Sequence, residues 1–107
     1  MGFFGSDIEM AVSHCLTTDE VIRRVRNDLR NKLNQAFSGK ISTLDQRWSG
    51  STGTFTAIVD GRTITGAMSV TQSQFCFTAD LPMGASLLIN IDKTKASIQK
   101  HIEELLA

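Results

Sequence analysis

Ile8, Met10 and Val12 alternate with Glu9, Ala11 and Ser13, the period-two pattern of a strand with one buried face. After His14-Cys15-Leu16 the period changes. Val21, Val25, Leu29, Leu33 and Phe37 recur at four-residue steps, widened by Ile22 and Ala36, which predicts a long amphipathic helix. Thr17 can cap it, Glu20 three residues on can close a capping box, and Ser38-Gly39 ends it. From Lys40 the period returns to two. Leu44, Gln46 and Trp48 share one face of a second strand, Ser49 to Gly53 predicts a turn, and Phe55, Ala57 and Val59 line a third strand. Asp60-Gly61 predicts a type I′ hairpin into a fourth strand carrying Ile64, Gly66, Met68 and Val70. Gly66 leaves a gap on the inner face, for a large neighbour such as Trp48 or for a close helix approach.

Thr71 to Gln74 turns the chain into a fifth strand with Phe75, Phe77, Ala79 and Leu81, which Pro82 ends. Only Met83 to Ser86 then connects to a last helix, with Leu88, Ile91, Ile98, Ile102 and Leu105 on one face and Leu87 and Leu106 at its margins. A strand turned so abruptly into a helix should lay that helix back across its own sheet. The expected fold class is α+β. It is a two-layer β-α-β-β-β-β-α chain whose antiparallel sheet carries both helices on one face, with the core between the layers. No stretch is long enough to be a linker, so residues 1–107 are expected to form a single domain.

Strand parity sorts the candidate residues. Trp48, Phe55, Ile64, Met68, Phe75 and Phe77 should point to the helices. With Gly66 and Leu88, the residues Trp48, Phe55, Met68, Phe75 and Phe77 would line an apolar pocket between sheet and last helix, fit for a small hydrophobic ligand. The opposite parity carries Thr54, Thr56, Ile58, Thr63, Thr65, Ala67, Ser69, Cys76 and Thr78. That face is β-branched and nearly uncharged, which suits contact with a second copy. Thr56, Ile58, Thr65, Ala67 and Cys76 are its candidate interaction residues. Lys95 joins them as a polar position within the apolar stripe of the last helix; its stem can also simply cover apolar surface.

Charge narrows the partners. Lys+Arg and Asp+Glu are both 11 in 107 residues, so the chain has no bulk attraction for nucleic acid, and the sheet face lacks the clustered bases and exposed aromatics that nucleic-acid binding needs. Self-association, most simply as a homodimer, meets no charge barrier. Arginines outnumber acids on the first helix, as a solvated face or a dock for an acidic partner. Asp45 and Arg47 share one parity and can pair. Cys15 and Cys76 have no C-x-x-C spacing and are expected as free, buried or half-buried thiols in a reducing cytoplasm, with a disulfide between them as the alternative. No apolar run approaches a membrane span, and Met1 to Ser6 lacks the marks of a signal peptide; its fit to a myristoylation pattern is formal only. A cytoplasmic protein without a transmembrane segment is expected.

Catalytic chemistry has little to stand on. His14 and His101 are the two histidines, and adjacent residues such as His14 and Cys15 point in opposite directions on an extended segment. There is no H-E-x-x-H, G-x-S-x-G, Walker loop or G-x-G-x-x-G. Neither an enzyme nor a cofactor or metal site is expected.

Several short motifs carry a resemblance: His14-Cys15-Leu16 before a helix with Glu20, Arg23 and Arg24; Trp48-Ser49-Gly50 followed by Phe55; Gly61 with Ile64, Gly66 and Val70; and Asp80-Leu81-Pro82 before the terminal helix. In these the chain resembles the small bacterial family named for the polyhydroxyalkanoic acid system. The resemblance implies an accessory role in polymer storage, at the granule or with its proteins, and supplies no catalytic residues. Met83-Gly84 and the threonine-rich strands depart from the family pattern. In architecture the chain also resembles half of a TATA-box-binding-protein-like saddle or a shortened helix-grip fold.

Overall fold

The computed structural model describes residues 8–80 and 91–107. Its elements are β1 (Ile8–Ser13), α1 (Thr18–Ala36), β2 (Ile41–Ser49), β3 (Thr52–Val59), β4 (Arg62–Val70), β5 (Gln74–Asp80) and α2 (Ile91–Leu106). The order is the expected β-α-β-β-β-β-α, and the fold is α+β. The five strands form one antiparallel sheet in the order β1-β5-β4-β3-β2, so β4 is the middle strand and β1 and β2 are the edges. Leu81 to Asn90, including the expected connection and Leu87 and Leu88, lie outside the described residues, as does Met1 to Ser6.

Both helices pack on one face. Val21, Val25, Leu29 and Leu33 of α1 and Ile98, Ile102 and Leu106 of α2 meet Ile8, Val12, Phe55, Ala57, Ile64, Met68, Phe75, Phe77 and Ala79 of the sheet in a single core. Leu106 is buried and Leu105 only half-buried, the reverse of the expected order. Ile98, Ile102 and Leu106 follow one another at four-residue steps, and Leu105 falls to the side of that row. Lys95 is exposed.

At the start of α1 the Glu20 backbone N–H donates to Thr17 Oγ1 at 3.1 Å, as a capping residue requires. The reciprocal half of the expected capping box is not made. Arg23 and Arg24 donate to the Glu20 carboxylate instead, at 2.6 and 2.8 Å. Those hydrogen bonds lower the Glu20 pKa from its ordinary 4.5 to about 2. The same Arg24 reaches the end of α2, donating from Nη1 to the carbonyl oxygens of Leu105 and Ala107 at 3.2 and 2.9 Å. A cation at a helix C-terminus answers its unsatisfied carbonyls, so one guanidinium ties the first turn of α1 to the last turn of α2.

Turn chemistry sets the meander. Asp60 and Gly61 both have positive φ, 52° and 79°, as a type I′ hairpin demands. The β2–β3 turn is tighter than expected, with only Gly50-Ser51 between the strands. Gly53 therefore belongs to β3, directly opposite Trp48. A Cβ on Gly53 would stand 2.8 to 2.9 Å from the Trp48 indole carbons. The gap at Gly66 is filled by its cross-strand neighbour Phe55 and not by Trp48. Each large ring lies over the glycine of the next strand.

Candidate functional site

The residues expected on the helix-free face are there. No described element covers that face, and the register joins its side chains into rows across the sheet. One row runs Glu9, Thr78, Ala67, Thr54, Arg47, from edge strand to edge strand. The next runs Ala11, Cys76, Ser69, Thr52, Ser49. On the other side lie Asp80, Thr65, Thr56 and Asp45, followed by Ile58 between Thr63 and Thr43. Thr56, Thr65 and Ala67 are exposed or half-exposed at the surface; Ile58 and Cys76 are half-buried. Between Glu9 and Arg47 the side chains of the first two rows are small, and a hollow of about 480 Å³ opens among them, bounded by Arg47, Thr52, Thr54, Ser69, Cys76 and Thr78.

Charge on this face is confined to its margins. Glu9 and Arg47 stand at the two ends of the first row, and Asp45 and Asp80 at the ends of the row beginning on β5. Asp45 and Arg47 form no ion pair despite their shared parity; among the described residues the salt bridges join Glu20 to Arg23, Glu20 to Arg24 and Lys32 to Glu104. Residues two apart on a strand are separated by about 6.6 Å along the backbone, and neither side chain folds back to close that gap. Lys95 is not part of this surface, because α2 occupies the other layer.

The residues expected around an inner pocket are packed against one another. Phe55 stacks on Phe77 with ring centroids 5.3 Å apart, and Phe75 lies 6.5 Å from Phe77. Phe75, Phe77, Phe55 and Met68 are all buried, at 0 to 3% exposure, while Trp48 is half-buried over Gly53. The Phe55 ring occupies the space above Gly66. Leu88 lies outside the described residues.

His14 is a strap. It is 8% exposed, its Nδ1 accepts the Leu16 backbone N–H at 3.1 Å, and its Nε2 lies 2.9 Å from the Thr71 carbonyl oxygen. The two bonds assign the tautomer: Nδ1 is the acceptor and Nε2–H the donor. The His14 backbone N–H adds a bond to Ser73 O at 2.9 Å. Both ring nitrogens are committed to holding the β1–α1 junction against the β4–β5 turn. His14→Ala should lower stability by about 1–3 kcal/mol, because it strips partners from Leu16 N–H and Thr71 C=O together. Urea unfolding of the two proteins measures this.

Cys15 is exposed, in contrast to the expected burial, because the chain between β1 and α1 turns its side chain away from the core that His14 faces. Cys76 is half-buried, and both thiols are free. His101 donates from Nδ1 to the Ser97 carbonyl oxygen one turn earlier, at 2.7 Å. Among the described residues no group of three His, Cys, Asp or Glu side chains could hold a metal ion, and no helix is long and apolar enough to cross a membrane.

No family model and no curated protein matches the chain. Among solved structures, the crystal structure of TTHA0849 from Thermus thermophilus is similar over 92% of this chain and 95% of that one, at 10% sequence identity and a TM-score of 0.43. Function therefore rests on this chain's own residues.

Sequence reasoning placed the threonine-rich face but missed Glu9 and Arg47 as the two ends of one row. Their link depends on β1 pairing with β5 at the far side of the sheet. The available signal was the parity of Glu9, opposite to that of Ile8 and Met10.

Proposed function

We propose that the protein is a non-catalytic binding module whose working surface is the helix-free face of the sheet, through which it self-associates and serves the polyhydroxyalkanoate storage system. The observation that carries the reading is that face itself: uncovered by any described element, built of short uncharged side chains around a hollow, and charged only at its margins. A fully solvated sheet face more often carries interspersed Lys and Glu, which protect against contact. The storage setting comes from the resemblance of the motifs around His14, Trp48, Gly66 and Asp80 to the polyhydroxyalkanoic acid system family. The other reading, carriage of an apolar ligand between the sheet and α2, is supported less well, because Phe55 fills the room that Gly66 leaves.

The test is co-sedimentation with polyhydroxyalkanoate particles, alongside imaging of a tagged copy in cells filled with granules. Wild type should pellet with the particles and concentrate at granules. A tag that stays diffuse, with protein left in the supernatant, removes the storage setting.

A further inference from the structure

We propose that the helix-free face binds a second copy of this chain, face to face, about a two-fold axis running along β4 through Ala67, so that Arg47 of each copy meets the partner's Glu9. The inference rests on the reading of this face as the working surface and adds its occupant and orientation.

β4 is the middle strand of the five, and Ala67 stands midway along the row that ends in Glu9 on β1 and Arg47 on β2. A two-fold axis along the middle strand exchanges the ends of that row. It lays β1 of one copy over β2 of the other, Thr78 over the partner's Thr54, and Ala67 over the partner's Ala67. Opposite charges then meet at both ends, as an isologous contact requires of a self-complementary patch. Neither the Arg47 nor the Glu9 side chain has a hydrogen-bond or ion-pair partner in its own chain among the described residues. An axis across the strands would instead set Arg47 against Arg47 and Glu9 against Glu9, which like-charge repulsion disfavours.

The same axis lays Asp80 over the partner's Thr56, one strand from the partner's Asp45, so those acids approach at the solvated margin, where salt screens them and the Arg47–Glu9 contacts must outweigh them. Thr65, Ala67 and Ser69 lie along the axis, and none is bulky enough to hold two sheets beyond the usual separation of about 10 Å. A tilt of the axis by about 15° from β4 gives the usual crossing of packed sheets, about 30°, and offsets the ends of the rows by an amount the long arginine side chain can span. Five strands about 4.8 Å apart, each contributing roughly seven residues, let two copies bury about 1,000 Å² in all, at the lower bound of specific interfaces. The two hollows meet across the axis, so the contact is wet at its centre. Dissociation constants on the order of micromolar are expected for such an interface.

Sedimentation equilibrium of the full chain over a concentration series tests the arrangement, with circular dichroism verifying that each variant is folded. Wild type should dimerise, and Ala67→Arg should be monomeric at the same concentrations, because two guanidinium groups would collide at the axis. Arg47→Glu and Glu9→Arg should each weaken the dimer about tenfold, and the double variant Arg47→Glu/Glu9→Arg should return to within about threefold of wild type. A wild type that stays monomeric throughout overturns self-association and this inference together. A dimer broken by Ala67→Arg but not rescued by the double swap keeps the face and overturns the axis. A dimer indifferent to Ala67→Arg overturns the face as its seat, whatever the storage role.

Discussion

Phe77→Ala should be the most damaging single substitution in the sheet, lowering stability by about 3–5 kcal/mol. The ring is 1% exposed, stacks on Phe55 at 5.3 Å and leans on Phe75 at 6.5 Å. Its strand neighbours are Met10 on β1 and Met68 on β4, so the truncation opens a void at the junction of three strands. Methionine side chains can swing into part of that void, which favours the lower half of the range. A domain of this size is stable by only about 5–15 kcal/mol, so the loss is a large share of the whole. Phe77→Leu keeps most of the volume and should cost less than half as much. Urea unfolding of the three proteins measures both; an unchanged midpoint for Phe77→Ala would contradict the packing of the three rings.

Gly66→Ala is expected to be the second large effect, at about 1–3 kcal/mol or more, although it adds a single methyl group. A Cβ there would run into the Phe55 ring and the backbone carbonyl oxygen of Thr78. The ring can rotate away only by giving up its stack on Phe77. The carbonyl belongs to the β4–β5 ladder and can move only with the strand. The two obstacles separate in a double-mutant cycle. In a Phe55→Ala background the ring is gone and the carbonyl stays, so Gly66→Ala should cost less there, with a coupling of about 0.5–3 kcal/mol. Equal costs in both backgrounds would show that the ladder alone resists the methyl group. An exposed glycine in a strand costs far less to replace, and replacement there can even stabilise.

The local parts of the fold were legible because local chemistry decides them. Alternation at Ile8-Met10-Val12 and at Phe55-Ala57-Val59 is enough to find a strand, and Asp60-Gly61 names its own turn. The four-step row from Val21 to Phe37 leaves no choice but a helix. Relations between distant segments were not legible in the same way. Trp48 covers Gly53 because of a register fixed by the two-residue turn at Gly50-Ser51, tighter than the two glycines suggested, while Phe55 meets Gly66 through the register of the Asp60-Gly61 turn. Thr71 as the acceptor for His14 could not be read from either residue, since the bond spans nearly the whole meander. Glu20 had two competing uses, a backbone cap and a pair of arginines, and bonds to two cationic guanidinium groups outweighed one bond from an uncharged backbone N–H. The helix-free face was visible as a class of residue. Its charge layout appeared only with the strand order.

The placement of β1 bears on how the chain reaches this structure. β2 through β5 are joined by short turns and can zip together from contacts close in sequence. β1 comes first in the chain yet pairs Ile8 with Ala79 at the far end. It must wait until the meander offers β5 as a template, because closing so long a loop has an entropic cost that only an existing strand edge repays. The first strand made is thus the last to dock. Until it does, β5 presents an open edge carrying Phe75 and Phe77, and that interval is when two chains are most exposed to mispairing.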